Sequence, residues 1–285
     1  MKSKPSWLKI KTSAGDDYRR VKRLLKEKSL HTVCEEAGCP NIFECFNSGT
    51  ATFLILGDTC TRNCRFCLVN KGIPAEVDDD EPIRIAATVA ELDLSFAVIT
   101  SVARDDLPDG GASHFASVIS EIKRASPGCG VEVLVPDFAG ARAPLERVLA
   151  AKPDVLNHNV ETVPRLYRSV RPQADYRRSL LVLSRAKELA PSIVSKSGLM
   201  AGLGEKPSEV LGVLKDLREA NCDVVTIGQY LSPSRKHVPV DRYYDPSEFE
   251  ELKLAALELG FSRVEAGPLV RSSYRASRSF GVLVP

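Results

Sequence analysis

Cysteine is unevenly distributed along this chain of 285 residues, because six of its eight cysteines lie between Cys34 and Cys67. The first thirty residues hold several lysines but no apolar stretch typical of a secretory signal. We therefore expect a cytoplasmic protein whose cysteines stay reduced rather than paired as disulfides. In that setting a dense group of thiols indicates metal binding or catalysis.

The six cysteines form two groups of three, here called first and second in chain order. The second group has the spacing C-x3-C-x2-C and consists of Cys60, Cys64 and Cys67. Thiolates are the protein ligands of iron–sulfur clusters, and a tight loop can bring three of them to three corners of a cubane. No fourth cysteine follows nearby, so one iron would stay open to a small molecule. The same spacing would suit a buried stripe on a helix. Gly57 and Asp58 just before the motif, and the polar residues within it, argue against that alternative.

The first group has the spacing C-x4-C-x5-C and consists of Cys34, Cys39 and Cys45. Pro40 interrupts any helix here, so a buried helical stripe is not expected. Three thiolates again lack a nearby fourth. A zinc knuckle is the main alternative, and His31 would then supply the fourth ligand that a structural zinc site requires.

The elements that must position these motifs are short apolar runs that alternate with amphipathic stretches. The predicted strands are Ala51–Leu56, Phe96–Thr100, Val131–Val135, Asp154–Leu156, Ser192–Leu199 and Val224–Ile227. The predicted helices are Ile85–Leu94, Ala112–Ala125, Ala143–Ala151, Arg177–Ala190, Ser208–Ala220 and Ser247–Leu259, with a further amphipathic helix around Arg19–Lys28. Such alternation predicts a parallel sheet built of βαβ units.

Six such units predict an α/β fold, a partial (β/α)6 TIM-like barrel that spans residues 51–262. An N-terminal extension, residues 1–50, carries the first cysteine group, and residues 263–285 form a C-terminal extension. Ser208 and Ser247 each follow a proline and are expected to cap the helices that begin there. Cys129 and Cys222 precede strands and are expected to be small buried residues.

Polar side chains gather where the predicted strands end, which in a parallel barrel is the edge that carries the chemistry. The candidate cofactor-binding residues at this edge are Thr100, Ser101, Arg104, Asn157, Asn159, Glu161, Lys196, Gly202, Gly204 and Glu205. If the fourth strand continues, its period of two places Asn157, Asn159 and Glu161 on one face. The alternative is a loop with an Asx turn. His114 and His237 belong to no motif, and no special role is expected for either.

Charge and hydropathy exclude several classes of partner. The chain carries 39 Lys and Arg against 37 Asp and Glu, a net charge of +2. So balanced a charge gives no electrostatic reason to expect nucleic acid or a membrane surface as a partner. No apolar run reaches the length needed to cross a bilayer. The basic helix around Arg19–Lys28 is either a solvated face or a docking surface for an acidic carrier domain.

The cysteine motifs resemble those of a known family. The Cys60, Cys64 and Cys67 loop, with Phe66 beside its last cysteine, resembles the signature of radical S-adenosylmethionine enzymes. The additional first group resembles the lipoyl synthase family in particular. Four further stretches share this resemblance, namely Gly57-Asp58-Thr59-Cys60-Thr61-Arg62, Asn157-His158-Asn159, Gly202-Leu203-Gly204-Glu205 and Arg271-Ser272-Ser273-Tyr274.

The resemblance implies roles for these residues. Cys60, Cys64 and Cys67 would hold a 4Fe–4S cluster whose open iron binds S-adenosylmethionine. One-electron cleavage would give a 5′-deoxyadenosyl radical, which removes hydrogen from unactivated carbons of an octanoyl chain. Cys34, Cys39 and Cys45 would hold a second 4Fe–4S cluster, the source of the sulfur inserted at C6 and C8.

In the family, the second serine of the Arg-Ser-Ser-Tyr motif completes the second cluster site, which assigns Ser273. The sequence alone does not choose between Ser272 and Ser273, and an ordinary solvated tail is the alternative for this motif. A hard alkoxide oxygen among soft thiolates would hold its iron weakly, which suits a cluster that is dismantled.

The same resemblance implies partners. The substrate would be an octanoylated lysine of a lipoyl carrier domain, as in the E2 subunits of 2-oxoacid dehydrogenases or the glycine cleavage H protein. A ferredoxin or flavodoxin would supply electrons, and an iron–sulfur carrier would rebuild the second cluster. Two other functions stay open, a biotin synthase-like sulfur inserter and a non-enzymatic iron–sulfur or zinc protein. A biotin synthase-like enzyme should lack the group of Cys34, Cys39 and Cys45 and the Arg-Ser-Ser-Tyr motif. A non-enzymatic metal protein should give each metal a full set of protein ligands.

Overall fold

The structure, a computed structural model, describes residues 4–10, 13–47 and 51–277. Its strands are β1 His31–Thr32, β2 Thr52–Ile55, β3 Thr59–Cys60, β4 Asn70–Lys71, β5 Phe96–Ser101, β6 Gly130–Leu134, β7 Val155–Asn157, β8 Val194–Ala201, β9 Val224–Gln229 and β10 Arg263–Gly267. Its α-helices are α1 Asp16–Glu27, α2 Val33–Glu36, α3 Ile42–Asn47, α4 Glu81–Glu91, α5 Ala112–Ala125, α6 Arg142–Ala150, α7 Tyr167–Val170, α8 Tyr176–Leu189, α9 Pro207–Glu219 and α10 Pro246–Glu258. Short 3-10 helices cover Ser6–Leu8, Phe138–Gly140 and Pro164–Leu166.

The described chain divides into two compact units. One unit, called here the N-terminal unit, comprises residues 10, 13–47, 51–62, 68–156 and 275–277. Its strands β2, β5 and β6 pair in parallel in that order, and β1 joins the edge of β2 in antiparallel orientation. Helix α4 packs on α5, α5 packs on α6, and α1 packs on α3. Parallel strands separated by helices are the βαβ arrangement that the alternating pattern predicts.

The core of the N-terminal unit explains its strand and helix assignments. The side chains of Phe53, Ile99 and Val133, from β2, β5 and β6, are fully buried. In α5, Phe115 and Ile122 lie two turns apart and are also fully buried, as the helical period requires. Each such side chain contributes about 1.5–3 kcal/mol through removal of apolar surface from water.

The second unit, called here the C-terminal unit, comprises residues 4–9, 63–67 and 157–274. Its strands β8, β9 and β10 pair in parallel in that order. A core of buried side chains forms between these strands and the helices, with Leu199, Ile227, Leu214 and Phe249 among its members. Helix α10 packs against both β10 and α9.

Most of the predicted elements are confirmed with small shifts of their ends. All six predicted strands and all seven predicted helices are present, the amphipathic helix as α1 Asp16–Glu27 with Val21 and Leu24 buried. Cys129 and Cys222 are buried, as expected. Four strands were not predicted, the two-residue strands β1, β3 and β4, and β10, which pairs in parallel with β9.

The predicted helix caps Ser208 and Ser247 are wrong by two residues. Helix α9 begins at Pro207 with Lys206 as its N-cap, and α10 begins at Pro246 with Asp245 as its N-cap. Proline suits the first helical position because its φ is preset and its missing N–H has no partner there in any case. The carboxylate of Glu209 accepts the Lys206 N–H at 2.8 Å, which anchors the start of α9.

Candidate functional site

The Cys60 segment leaves β2 through a sharp turn in the N-terminal unit. Leu56 and Gly57 both have positive φ, 68° and 91°. The chain then forms β3, which pairs with β4. The Cys60 sulfur accepts backbone N–H groups from Arg62 at 3.4 Å and from Ala103 at 3.3 Å. Such donors suit the anionic thiolate, which is the form that binds iron.

Arg62, inside the cysteine motif, ties this segment to two aspartates. Its guanidinium donates to both oxygens of Asp105, at 2.7 and 2.6 Å, and to Asp137 at 2.7 Å. Burial alone would lower the pKa of Arg62, but the hydrogen bonds to Asp105 and Asp137 outweigh it and raise that pKa. The same bond holds the pKa of Asp105 below its ordinary value. The loop is therefore fixed by a bidentate ion pair, which is geometrically specific.

The Cys64 and Cys67 segment lies in the C-terminal unit, where backbone hydrogen bonds hold it. The Arg65 N–H donates to Val170 O at 2.8 Å, and the Arg65 carbonyl accepts from Val238 N at 3.0 Å. The Cys67 N–H donates to Cys64 O at 3.2 Å, so the two cysteines share one turn. The Nε2 of His237 donates to the Cys67 carbonyl at 3.0 Å.

Arg171 stands behind this segment as a buried cation. One of its terminal nitrogens donates to the carbonyls of Asn159 and Val160, at 3.0 and 3.1 Å. Burial alone would lower the pKa of Arg171, but the charges of neighbouring groups, Tyr167 first among them and Cys64 included, raise it. A cation at this place favours a negatively charged cluster on the adjacent thiolate.

The polar residues after β7 are buried and converge. β7 ends at Asn157, so the predicted continuous strand face does not form as a regular strand. The side chains of Asn159 and Glu161 nevertheless meet, because Asn159 Nδ2 donates to Glu161 Oε1 at 3.0 Å. Burial raises the pKa of Glu161, opposed by Arg171 and Asn159. Glu161 also has a φ of 65°, a strained value for this residue type.

One polar atom in this group has no partner within the described protein. The Oδ1 of Asn159 is buried and accepts no hydrogen bond there, although the residue is only 7% exposed. A Cβ at Gly198 would stand 2.9 Å from that oxygen and 2.6 Å from Thr226 Oγ1. An unsatisfied acceptor beside an obligatory glycine fits a ligand that carries N–H or O–H donors.

The Gly202 to Glu205 stretch is organised by its own atoms. Both oxygens of the Glu205 carboxylate accept backbone N–H groups, from Gly202 at 2.6 Å and Leu203 at 2.9 Å. Gly202 and Gly204 each have a φ of 103°, which only glycine adopts readily. A Cβ at Gly202 would meet Gln229 and the Arg242 carbonyl.

Of the remaining predicted residues, Thr100, Ser101 and Arg104 lie at or just after the end of β5, whereas Lys196 is the third residue of β8 and not at the carboxyl end where it was expected. Thr100 Oγ1 donates to Leu134 O at 3.2 Å, and the buried Ser101 Oγ has no partner among the described atoms. The guanidinium of Arg104 donates to Asp106 and to the Leu56 carbonyl. Lys196, in β8, is fully buried.

The first cysteine group lies in the N-terminal unit, with Cys34 in α2, Cys45 in α3 and Cys39 in the segment between these helices. The Cys39 N–H donates to Cys34 O at 3.0 Å, and Gly38 has a positive φ of 57° that turns the chain between them. Burial raises the pKa of Cys45 to about 12, and the thiols of Cys34 and Cys39 add to the shift. The pKa of Cys34 rises to about 11 through burial and the charge of Cys39. The three thiols are thus close enough to repel one another as anions, a cost that bound metal cations remove.

No single-ion site is formed by these thiols. Within residues 4–10, 13–47 and 51–277, no three His, Cys, Asp or Glu side chains come together as ligands of one metal ion. The Nδ1 of His31 lies 3.3 Å from Glu36 Oε1. The zinc knuckle with His31 as its fourth ligand therefore has no support in this geometry. A cubane places each cysteine on a different iron, so its thiolates stand further apart.

Ser273 lies in a turn that follows β10 in the C-terminal unit, where Tyr274 N donates to Arg271 O at 2.9 Å. A Cβ at Gly228 would collide with the Val270 carbonyl, so glycine there permits the close passage of this turn. In the N-terminal unit, the Arg275 guanidinium lies 3.9 Å from the Glu44 carboxylate. Glu44 is the neighbour of Cys45 in the chain.

Four residues of these arrangements were not predicted from the sequence. His237 was expected to have no special role, but it bonds to the Cys67 carbonyl. The same expectation for His114 overlooked its bond to Glu81, a distance of 2.6 Å. Asp137 follows the predicted strand Val131–Val135 by two residues, and this strand-end position is a signal that could have marked it, whereas no signal in a single sequence marks Arg171. A buried charged residue is recognisable only when its partners are known.

Comparison with known proteins gives this arrangement a family. A family model of the Radical SAM superfamily matches residues 54–217, and a model of the N-terminal domain of lipoyl synthase of that family matches residues 1–39. The fold and the C-x3-C-x2-C loop thus define a radical S-adenosylmethionine protein, which implies a 4Fe–4S cluster and S-adenosylmethionine as cofactors.

Sequence relatives narrow the class further. A lipoyl synthase of Caldicellulosiruptor saccharolyticus is 58% identical over 280 residues, which cover 98% of either chain. A lipoyl synthase of Rubrobacter xylanophilus is 57% identical, and the match covers 96% of this chain and 85% of the relative. A lipoyl synthase of Methylococcus capsulatus is 55% identical, and the match covers 98% of this chain and 87% of the relative. The chain belongs to the lipoyl synthase family of radical S-adenosylmethionine enzymes.

Solved structures support the fold class alone. Methylornithine synthase PylB has a TM-score of 0.57 at 14% identity, with 91% of this chain and 80% of that chain covered. The hydrogenase maturase HydG from Carboxydothermus hydrogenoformans has a TM-score of 0.58 at 17% identity, with 80% of this chain and 64% of that chain covered. These structures confirm the predicted α/β partial barrel, and the family models and sequence relatives confirm the family and the enzyme class. Among the helices of the described ranges, none is both long enough and apolar enough to traverse a bilayer.

Proposed function

We propose that this chain inserts two sulfur atoms, at C6 and C8, into an octanoyl group bound to a lysine of a lipoyl carrier domain. The observation that carries the proposal is the presence of two cysteine groups, each of three thiols, in a chain that matches the N-terminal domain of lipoyl synthase. A sulfur inserter of the biotin synthase type is not expected to carry the first group. The carriers would be E2 subunits of 2-oxoacid dehydrogenases or the glycine cleavage H protein.

Cys60, Cys64 and Cys67 would hold the 4Fe–4S cluster that binds S-adenosylmethionine. When bound, this pair supplies one-electron chemistry that can remove hydrogen from saturated carbon. The two backbone donors on the Cys60 sulfur and the buried Arg171 cation support this role, because both stabilise negative charge on the thiolates. Arg62 and His237 position the segment by fixing its backbone.

S-adenosylmethionine would be held by the polar residues at the strand ends. Its amino and ribose hydroxyl groups are donors, and the unpartnered Oδ1 of Asn159 and Oγ of Ser101 are acceptors. The full set proposed for this role is Thr100, Ser101, Arg104, Asn157, Asn159, Glu161, Lys196, Gly202, Gly204 and Glu205. The bonds already made by Arg104 and Glu205 suit a positioning role within that set.

Cys34, Cys39, Cys45 and Ser273 would hold a second 4Fe–4S cluster, which supplies the sulfur. The raised pKa of Cys45, to which the neighbouring thiols Cys34 and Cys39 contribute, supports the cysteine part of this assignment. The family resemblance supplies Ser273. A ferredoxin or flavodoxin would supply electrons, and an iron–sulfur carrier would rebuild the cluster. Eight cysteines that form no disulfide in the described chain suit the reducing cytoplasm, where we place the reaction.

An anaerobic assay tests the proposal directly. We expect about eight irons per chain, as two four-iron clusters. Incubation with an octanoylated lipoyl domain, a reductant and S-adenosylmethionine should convert the octanoyl group to a lipoyl group, as followed by mass spectrometry of the domain. The iron content should fall as product forms. Product formed with no loss of iron, or a chain that binds only zinc, would contradict the assignment of the second cluster.

A further inference from the structure

Leu56 occupies a backbone conformation that leucine avoids. It follows β2 directly, its φ is 68°, and its side chain is 3% exposed. The left-handed region is unfavourable for residues with a Cβ, and it persists only where the surroundings enforce it. The chain that passes through this residue reaches Cys60 four positions later. Whatever holds Leu56 therefore sets the direction in which the Cys60 segment leaves the sheet.

Two buried charged side chains hold the peptide groups of Leu56. Its N–H donates to Glu81 Oε2 at 2.9 Å. Its carbonyl accepts from Arg104 Nη1 at 3.3 Å. Both side chains are nearly inaccessible, with Glu81 at 5% and Arg104 at 3% exposure. The guanidinium of Arg104 is itself oriented by Asp106, at 2.9–3.1 Å.

His114 supports Glu81 from behind. Its Nε2 lies 2.6 Å from the same oxygen, Oε2, that accepts the Leu56 N–H. Because a carboxylate only accepts hydrogen bonds, this contact places a proton on Nε2 of His114. Glu81 is the first residue of α4 and His114 lies in the first turn of α5, and these two helices pack together. The carboxylate is thus held in place by the helix pair.

The Leu56 side chain also needs room that one glycine provides. A Cβ at Gly111 would collide with Leu56 Cδ1, and Gly111 has a φ of 88°. Gly111 is the N-cap of α5, three residues before His114. The same helix start therefore supplies both the space for the Leu56 side chain and the support for its N–H.

We propose that Glu81 and His114 are positioning residues, which hold Leu56 in the left-handed conformation and so aim the Cys60 segment. This inference rests on the proposed function, because the aim matters only if Cys60 is a cluster ligand. A purely structural contact would not need charge, since burying a carboxylate is costly and an apolar pair of similar volume packs at least as well. The carboxylate is required because the strained Leu56 N–H needs an acceptor.

The test compares Glu81→Leu with a core variant, Ile122→Ala, on helix α5, the helix that carries His114. Ile122 is fully buried two turns beyond His114, so its truncation destabilises the unit without touching Glu81. Hydrogen exchange of the Leu56 to Cys60 amides in the metal-free chain is the first measurement. We expect Glu81→Leu to speed the exchange of these amides at least about tenfold. Ile122→Ala should lower the unfolding temperature but change the exchange rate of these amides little.

Iron content of the reconstituted chain is the second measurement. Glu81→Leu should lose one cluster, from about eight irons to about four, whereas Ile122→Ala should retain about eight. The double variant Glu81→Leu with Leu56→Gly should regain iron, because glycine adopts positive φ without enforcement. If Glu81→Leu does not fold, His114→Leu replaces it in the test and should speed amide exchange and lower the iron content by a smaller amount. His114→Gln keeps a hydrogen-bond donor and should return the amide exchange to the slow rate of the unmodified chain.

The outcomes that overturn the inference are distinct from failure of the proposed function. Unchanged exchange and iron in Glu81→Leu and in His114→Leu would refute the positioning role. If Ile122→Ala lost as much iron as Glu81→Leu, Glu81 would act only through the overall stability of the unit, and the positioning role would be refuted. If the unmodified chain lacked the two clusters or formed no lipoyl product, the proposed function would fail, while the exchange measurement would still decide what holds Leu56.

Discussion

At the scale of single residues, the Cys60 sulfur shows how the backbone prepares a ligand. It lies between two N–H donors, those of Arg62 and Ala103. Replacement by alanine removes one of three thiolates from a site that already has only three. We predict that Cys60→Ala loses cleavage of S-adenosylmethionine by more than about 100-fold. Chromatography of the products methionine and 5′-deoxyadenosine measures this cleavage. Cys129→Ala, at a buried cysteine outside both groups, should cleave S-adenosylmethionine at the normal rate.

Asn159 is the second residue whose chemistry is incomplete without a ligand. Its Oδ1 is a buried acceptor without a partner in the described chain, while its Nδ2 is engaged by Glu161. We predict that Asn159→Leu weakens binding of S-adenosylmethionine about 10- to 100-fold, the worth of one or two buried hydrogen bonds. Equilibrium dialysis of the anaerobic protein measures the affinity. Asn221→Gly removes an amide from a left-handed turn elsewhere and should leave the affinity unchanged.

The two serines of the Arg-Ser-Ser-Tyr motif provide a matched pair. We propose Ser273, the second serine of this motif, as the fourth ligand of the second cluster, because the family resemblance implies it. We predict that Ser273→Ala lowers sulfur insertion about 10- to 100-fold while cleavage of S-adenosylmethionine persists. Ser272→Ala should form lipoyl product at the normal rate. The opposite result, with Ser272 the sensitive position, would reverse the assignment.

At the scale of elements, the ion pair between Arg62 and Asp105 ties the cysteine loop to the chain after β5. Hydrogen bonds from Arg62 hold the pKa of Asp105 below its ordinary value of 3.8. A carboxyl with a lowered pKa in the folded state stabilises the protein above its unfolded pKa, and that contribution is lost as the pH falls through the folded value.

The pH dependence of unfolding therefore reports this tie. We predict that Asp105→Asn is less stable than the unmodified chain at neutral pH, and that the difference shrinks once the pH falls below about 4. Denaturant unfolding of the metal-free chain at several pH values measures it. Asp16→Asn, at an exposed surface pair on α1, should show little difference at any pH. A constant difference between Asp105→Asn and the unmodified chain would show that Asp105 acts by packing and not by charge.

The elements themselves were readable from the sequence where apolar periodicity decides them. Helix α5 occupies the predicted Ala112–Ala125, because its buried positions repeat at the helical period and glycines precede it. β10 was missed since Glu265 and the charged Arg263 interrupt its short apolar run, and its pairing with β9 is a tertiary effect. The caps of α9 and α10 were missed because the proline was read as preceding the helix and not as its first residue.

The candidate site was readable only in part, for a related reason. Cysteine spacing marks the ligands because their chemistry is rare, and the roles of all these residues stay predictions. The groups that orient the ligands, such as Asp137, Arg171 and His237, are common residue types far away in the sequence. Their importance arises from burial and from partners such as Arg62 and the Cys67 carbonyl. A single sequence carries neither kind of information.

At the scale of the whole molecule, the two cysteine groups should be separable by mutation. Cys39 belongs to the first group, on the N-terminal side of β2, and the C-x3-C-x2-C loop follows that strand. Because each group would bind its own cluster, loss of one ligand should empty one site and spare the other. We predict that Cys39→Ala retains about four irons per chain and still cleaves S-adenosylmethionine, but forms no lipoyl product.

The contrast with Cys60→Ala makes this prediction decisive. Cys60→Ala should keep iron in the first group but cleave nothing, so the two variants fail at different steps. Mixing them should not restore product, since the sulfur must reach the carbon at which hydrogen was removed within one molecule. Mass spectrometry of an octanoylated lipoyl domain, with iron counted in parallel, distinguishes the cases. Lipoyl product from Cys39→Ala alone would show that the sulfur comes from elsewhere.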